Sequence, residues 1–257
     1  MKIIDSHAHY DHKRFASDRD ELLKALPENG VEMVINIGCD LPSSKASVKL
    51  AEAYNHVYAS VGVHPHDAKV FCESGMEMVQ ELAALCAHEK VIGYGEIGLD
   101  FHYDFSPRDV QREWFKKQLE LAYELNMPVI IHSRDAHEEV FDIIKASPVR
   151  RGVVHSFSGD KALALRYVDL GFYIGIGGVV TFDKTNTLQD AVAAIPLSGI
   201  LLETDCPYLT PAPHRGKRND SAYLSFVAEA VAKIKGETVE TVCAQTGDNV
   251  KTLFGVD

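Results

Sequence analysis

Positive charge is scarce in this chain: 26 lysines and arginines stand against 37 aspartates and glutamates, a formal net charge of −11 over 257 residues. So acidic a protein has no broad basic face with which to grip long duplex DNA, although a local phosphate site stays open. Cysteine is sparse as well. The five, Cys39, Cys72, Cys86, Cys206 and Cys243, are odd in number and form no Cys-x-x-Cys. That argues against a disulfide framework and a thiolate zinc knuckle, and predicts reduced, mostly buried thiols. Nowhere do about eighteen apolar residues run uninterrupted, and the amino end enters an apolar strand at once, with Asp5 and His7 inside it. Neither a membrane span nor a secretory signal is expected, and the setting is cytoplasmic. Low-complexity tracts and composition shifts that would mark a linker are absent too. Residues 1–257 are therefore read as one domain, a length at which α/β barrels run undivided.

What is present is a rhythm. Short β-branched runs alternate with longer amphipathic ones, the pattern of βα units and a parallel sheet. Strands are predicted at Lys2 to Ser6, Met33 to Ile37, Val57 to Val63, Val91 to Gly95, Val129 to Ile131, Gly152 to Val154, Phe172 to Ile176 and Ile200 to Glu203. Eight strands, each followed by a helical stretch, define a TIM (β/α)8 barrel, and Val239 to Phe254 adds a C-terminal helix. In the helix after strand four, Ser106 reads as N-cap, Pro107 as first helical residue and Asp109 as part of an acidic capping pattern. Val110, Trp114, Leu121, Ala122 and Leu125 give it an apolar stripe, so Trp114 belongs to the core.

Chemistry in such barrels gathers at the C-terminal ends of the strands. The polar residues there form a consistent set. Strand one ends in His7 and His9, which alternate onto one face and can meet at one point. Strand three ends in His64 before Pro65, strand four in Glu96, strand five in His132, strand six in His155 and strand eight in Asp205. Four imidazoles and two carboxylates, without His64, exceed the needs of one tetrahedral ion and predict two divalent metals. Glu96, lying between the pairs, is the bridging candidate. The reading assigns His7, His9, Glu96 and Asp205 to one ion and Glu96, His132 and His155 to the other. Two ions roughly 3.5–4 Å apart acidify a water between them, with Asp205 placed to orient or deprotonate it. Glu203, two residues earlier, is a candidate to support the ligands from behind. Magnesium, zinc, manganese and nickel all remain open. The residues alone thus describe a dinuclear metallohydrolase without naming its substrate.

The motifs Asp5-Ser6-His7-Ala8-His9, Gly62-Val63-His64-Pro65, Gly95-Glu96-Ile97-Gly98-Leu99-Asp100, His132-Ser133-Arg134, His155-Ser156-Phe157-Ser158-Gly159 and Glu203-Thr204-Asp205-Cys206-Pro207-Tyr208 resemble, in order and interval, those of the TatD family of metal-dependent deoxyribonucleases. Within the wider amidohydrolase superfamily many members bridge their metals with a carboxylated lysine on strand four, where this chain has Glu96. The resemblance implies a TIM barrel and phosphodiesterase activity on DNA ends, single-stranded and from the 3′ side. It carries the ligand roles onto the residues above, with Glu96 and Asp205 catalytic, and implies that His64 contacts substrate phosphate. Arg134 can hold a phosphate bidentately. Gly175-Ile176-Gly177-Gly178 can offer backbone N–H groups to another, and the basic cluster His214-Arg215-Gly216-Lys217-Arg218 follows strand eight on the same face. Phe101, His102 and Tyr103 are placed to stack on a base or to cap the barrel mouth. No obligate protein partner is evident. Another function stays open, hydrolysis of a carbonyl ester or amide such as that of a D-aminoacyl-tRNA deacylase, while a non-catalytic binding barrel would have lost ligands that are all present here.

Overall fold

The computed structural model describes residues 2–256, without the side chains of residues 71–74 and 76. Strands β1 (Ile3–Ala8), β2 (Val31–Ile37), β3 (Val57–Val61), β4 (Val91–Asp100), β5 (Val129–Arg134), β6 (Gly152–Val154), β7 (Phe172–Ile176) and β8 (Ile200–Leu202) form one parallel sheet in chain order. Helices α1 (Arg19–Ala25), α2 (Leu41–Ala53), α3 (Phe71–Cys86), α4 (Arg108–Glu124), α5 (His137–Ala146), α6 (Lys161–Asp169), α7 (Thr187–Ala194) and α8 (Leu224–Lys235) accompany them, and α9 (Val239–Phe254) follows. The sheet curls into the expected barrel. Its inner cluster draws Ile4, Met33, Ile35, Ile37, Ile92, Ile130, Val153 and Leu201 from the strands and Val250, Leu253 and Phe254 from α9. The added C-terminal helix is thus a plug under the barrel floor.

β1 and β8 close the ring through few bonds. Asp205 N–H donates to His7 O and His9 N–H to Cys206 O, both at 2.9 Å, and the Ser6 hydroxyl donates to Leu202 O at 3.0 Å. Ile4 points into the inner cluster, so strict alternation would turn His7 outward. A register shift between Asp5 and Ala8 reverses that phase and brings His7 inside. Outside, the buried Asp5 carboxylate accepts from Thr204 N–H at 3.0 Å and from the Thr204 and Ser221 hydroxyls, both at 2.6 Å.

β4 reaches five residues beyond Gly95, the predicted end. A methyl group at Gly98 (φ 149°) would collide with the His132 carbonyl, so the glycines of this stretch let β5 approach. α4 begins at Arg108, not at Pro107, because Pro107 stays extended at ψ 139°. Ser106 is therefore not the cap: its hydroxyl accepts from Lys69 N–H at 3.0 Å and donates to His66 O at 2.8 Å. Trp114 is buried as expected, yet the buried face also holds Gln111 and Gln118. Gln118 exchanges bonds with Val63 N–H and C=O at 2.9 and 3.0 Å, and Gln111 does so with Asp100 at 2.9 and 3.1 Å. These amides extend the ladder past the strand ends that carry His64 and Asp100.

Asp5→Ala leaves several buried donors without an acceptor, each costing about 1–3 kcal/mol. Loss of about 3 kcal/mol is expected from the denaturant midpoint, and an unchanged midpoint would show that closure does not depend on this carboxylate.

Candidate metal centre

The strand ends converge on Glu96, whose two oxygens face different groups. Oε1 lies 2.6 Å from His155 Nε2, 2.8 Å from His132 Nδ1 and 3.5 Å from His64 Nε2. Oε2 lies 3.4 Å from His7 Nε2 and 4.0 Å from His9 Nε2. Asp205 Oδ1 closes the second set at 3.4 Å from His9 and 3.9 Å from His7. All six residues predicted as ligands therefore meet in one place, and His64 meets them too.

The donor chemistry fits divalent cations. His9 Nδ1 is 3.2 Å from the Ile37 carbonyl and His132 Nε2 is 3.0 Å from Asp100 Oδ2, so each donates there and keeps a lone pair on the other nitrogen. Those lone pairs face other imidazoles: His9 Nε2 is 3.1 Å from His7 Nε2, and His132 Nδ1 is 3.2 Å from His155 Nε2. Such encounters repel unless a proton or a cation lies between. His64 differs. Its Nδ1 accepts from His66 N–H at 3.1 Å, so the neutral ring carries its proton on Nε2 and presents a donor to the cavity.

With protons alone, the groups titrate one another. Burial opposes charge on Glu96, but the His155 charge beside it and the hydrogen bonds from His132 and His155 hold its carboxyl well below the usual range. Burial opposes charge on His155 and His9 too, yet Glu96 lifts the first and Asp205 the second well above the ordinary imidazole value. Asp100 and Glu96 lift His132 in the same way against burial. Burial and His132 keep His64 well below that value, hence neutral.

Three participants take no role from the sequence, although Asp100 stands in one of its motifs. Asp100 Oδ2 accepts from both His132 and His66, each at 3.0 Å. Its signal is spacing, since Glu96 and Asp100 are four apart on one strand and share a face. Cys39, whose thiol burial pushes up to about 12, sits 3.7 Å from Glu96 and 3.9 Å from His9, and nothing in its surroundings in sequence announces it. His66 lies one residue past the His-Pro pair. Glu203 does stand behind a predicted ligand, with Oε1 accepting from Ser156 N–H at 2.5 Å and lying 3.7 Å from His155 Nδ1.

Other expectations are corrected. A methyl group at Gly175 would strike Glu203 Oε2, so this glycine admits that carboxylate, and at Gly178 it would strike the Leu209 carbonyl. The basic cluster is largely engaged: Arg218 pairs with Asp18 at 2.5 and 2.8 Å, Arg215 donates to Thr210 O at 2.8 Å and covers Phe182, and His214 packs on Tyr223 and Phe226. Phe101 lies under Arg108 and Arg112, and His102 pairs with Asp135 at 2.9 Å, leaving Tyr103 exposed. Arg134 has its guanidinium 4.8 Å over Tyr103 and no ion pair among the described residues. It lines, with His64 and the carboxylates, a cavity of about 880 Å³ that opens at the barrel mouth.

No helix among the described residues is long and apolar enough to cross a membrane. A profile of the family described as TatD related DNase matches residues 4–255. YabD of Bacillus subtilis, named an uncharacterized metal-dependent hydrolase, is 39% identical over 99% of this chain and 100% of its own. A protein of Escherichia fergusonii named 3′-5′ ssDNA/RNA exonuclease TatD is 38% identical over 95% of each chain. Among solved structures, YJJV, a TatD homologue from Escherichia coli, superposes with a TM-score of 0.91 at 31% identity over 99% of this chain and 98% of its own. The match runs through every strand end that contributes to the Glu96 cluster: this chain belongs to the TatD-related DNase family, metal-dependent hydrolases built on a TIM barrel.

Proposed function

We propose that this protein trims single-stranded DNA or RNA from the 3′ end, using two divalent cations. The observation that carries the reading is the division of Glu96, whose Oε1 faces His132 and His155 while Oε2 faces His7 and His9. His7, His9, Glu96 and Asp205 would hold one ion, and Glu96, His132 and His155 the other. The nitrogen and oxygen donors suit zinc, manganese or nickel by affinity, and availability can install magnesium. When bound, such ions acidify water and neutralise charge on a phosphodiester under attack. Asp205, kept ionised against burial by His9, takes up the proton that the attacking water loses. His64 Nε2–H donates to a phosphate oxygen, and the Arg134 fork, without an ion pair among the described residues, receives the next phosphate along the strand. Polarity and substrate follow the relative named as a 3′-5′ ssDNA/RNA exonuclease. A site at the bottom of a barrel mouth supports end-trimming, because a flexible strand end enters where the girth of a duplex is stopped by the βα loops. The acidic chain and the free thiols Cys39, Cys86, Cys206 and Cys243 support a cytoplasmic setting.

Glu96→Gln should lower metal content at both positions and abolish most turnover, whereas His132→Ala should empty mainly one. Asp100→Asn, which removes the charge orienting His132, should weaken metal binding about 10- to 100-fold. Elemental analysis and metal titration read these outcomes, and two metals per chain in the Glu96 variant would sink the assignment.

Stability should respond to pH differently with and without metal. His9, His132 and His155 are lifted above the unfolded value of roughly 6.5, so in metal-free protein their contribution is full below that pH and is lost as pH rises through the lifted values. The melting temperature of chelated protein should therefore fall above about pH 6.5, where added metal should raise it most. A chelated protein whose Tm climbs over this range would contradict the account.

Incubated with an end-labelled single strand, a blunt duplex and a closed single-stranded circle, the protein should shorten the first stepwise, the second slowly and the circle not at all. Opening of the circle as fast as linear DNA would exclude end-trimming.

A further inference from the structure

We infer that Tyr103 and Phe105, with Tyr208 across the cavity mouth, form a stacking subsite for unpaired nucleobases, an assignment that rests on the nuclease reading above and adds how the strand is gripped. Three of the six large apolar side chains left exposed among the described residues are these: Phe105 is 57% exposed, Tyr103 48% and Tyr208 45%. Tyr103 and Tyr208 line the same cavity as the Glu96 cluster. The rings of Tyr103 and Phe105 stack on each other, with centroids 5.2 Å apart and planes 15° apart, and the Arg134 guanidinium covers Tyr103 at 4.8 Å, so the outer face of Phe105 takes the base and Tyr103 backs it. His66 meets Phe105 edge-on at 4.8 Å, and Tyr208 meets His12 edge-on at 5.6 Å.

Exposure here is not looseness. Asp100 Oδ1 accepts from the N–H groups of His102 and Tyr103, both at 3.0 Å, while its other oxygen holds His132. Asp104 grips Arg108 at 2.7 and 2.8 Å, and Ser106 ties the loop to His66 and Lys69. One carboxylate thus fixes the aromatic loop and a candidate metal ligand in a common frame. Rings held in this way lose little freedom when a ligand stacks on them.

The occupant follows from electrostatics. With a net charge of −11, with Asp11, Asp40 and Asp67 at the cavity and with Arg215 and Arg218 bonded within the protein, attraction to phosphates beyond the cations and Arg134 is weak. A nucleobase is neutral and flat, and every base has a π face, so stacking supplies grip without reading sequence. In a duplex those faces are already covered by neighbouring pairs. The subsite therefore selects single strands by their exposed bases, in DNA and RNA alike.

The test uses full-length protein with added Mn²⁺ and oligodeoxynucleotides carrying one abasic position at successive sites from the 3′ end. For the parent, one abasic position close to the 3′ end should raise KM about tenfold, the size of a single base stack. Phe105→Leu and Tyr103→Leu keep apolar bulk without the π face. Each should raise KM for the intact strand about as much and erase the abasic penalty, with Tm and metal content as in the parent. A strand carrying 2-aminopurine at the penalised position should be quenched on binding the parent and not on binding the variants. Equal KM for intact and abasic strands in the parent would overturn the subsite, as would a penalty that persists in Phe105→Leu, the more exposed position. Failure of the parent to cleave any nucleic acid would instead remove the nuclease reading beneath it.

Discussion

A buried carboxylate facing five imidazoles is the constraint on which the rest of this structure depends. Glu96 is 3% exposed, and an ion taken that far from water costs several kcal/mol unless opposite charge meets it. Protons on His9, His132 and His155 can supply that charge, and so can metals, which need the same nitrogens unprotonated. The centre is therefore a competition between two kinds of cation for one set of lone pairs. The surrounding bonds, from Ile37 O to His9 and from Asp100 to His132, favour the metal by turning the free lone pairs inward.

The scaffold serves that geometry in unequal ways. β1 changes phase to bring His7 inward, β4 runs through glycine so that β5 can approach, and α4 reaches down with two amides to hold the ends of β3 and β4. The opposite end of the barrel is sealed by α9, whose Val250, Leu253 and Phe254 complete the apolar interior. The barrel interior at the floor is thus apolar, and at the mouth it is lined with titratable groups.

Much of this was legible in the residues. Gly152–Val154, Phe172–Ile176 and Val239–Phe254 have the bounds that the sequence assigns, the helix also because Thr238 caps its start and left-handed Gly255 ends it. The convergence of His7, His9, Glu96, His132, His155 and Asp205 was equally accessible, since strand ends of a parallel barrel share one face. Where the reading falls short, partners distant in sequence decide. Arg218 looks available until Asp18, on the far side of the chain, neutralises it. Gly175 looks like a phosphate turn until Glu203 occupies the space beside it. Ser106 looks like a cap until its hydroxyl is claimed by the segment around His66. Asp100 is the instructive omission, a charged residue inside a strand whose purpose appears only once β5 lies alongside.

The bonds that close the ring join the first strand to the last, and this orders events at the ribosome. His7 emerges early, while Asp205 and Cys206, whose backbones pair with His7 and His9, follow almost 200 residues later. At about 5–20 residues per second, that is a delay of roughly 10–40 s. During it a nascent chain holds His7 and His9 without Asp205, so the enclosing set of donors exists only once the last strand has joined the first.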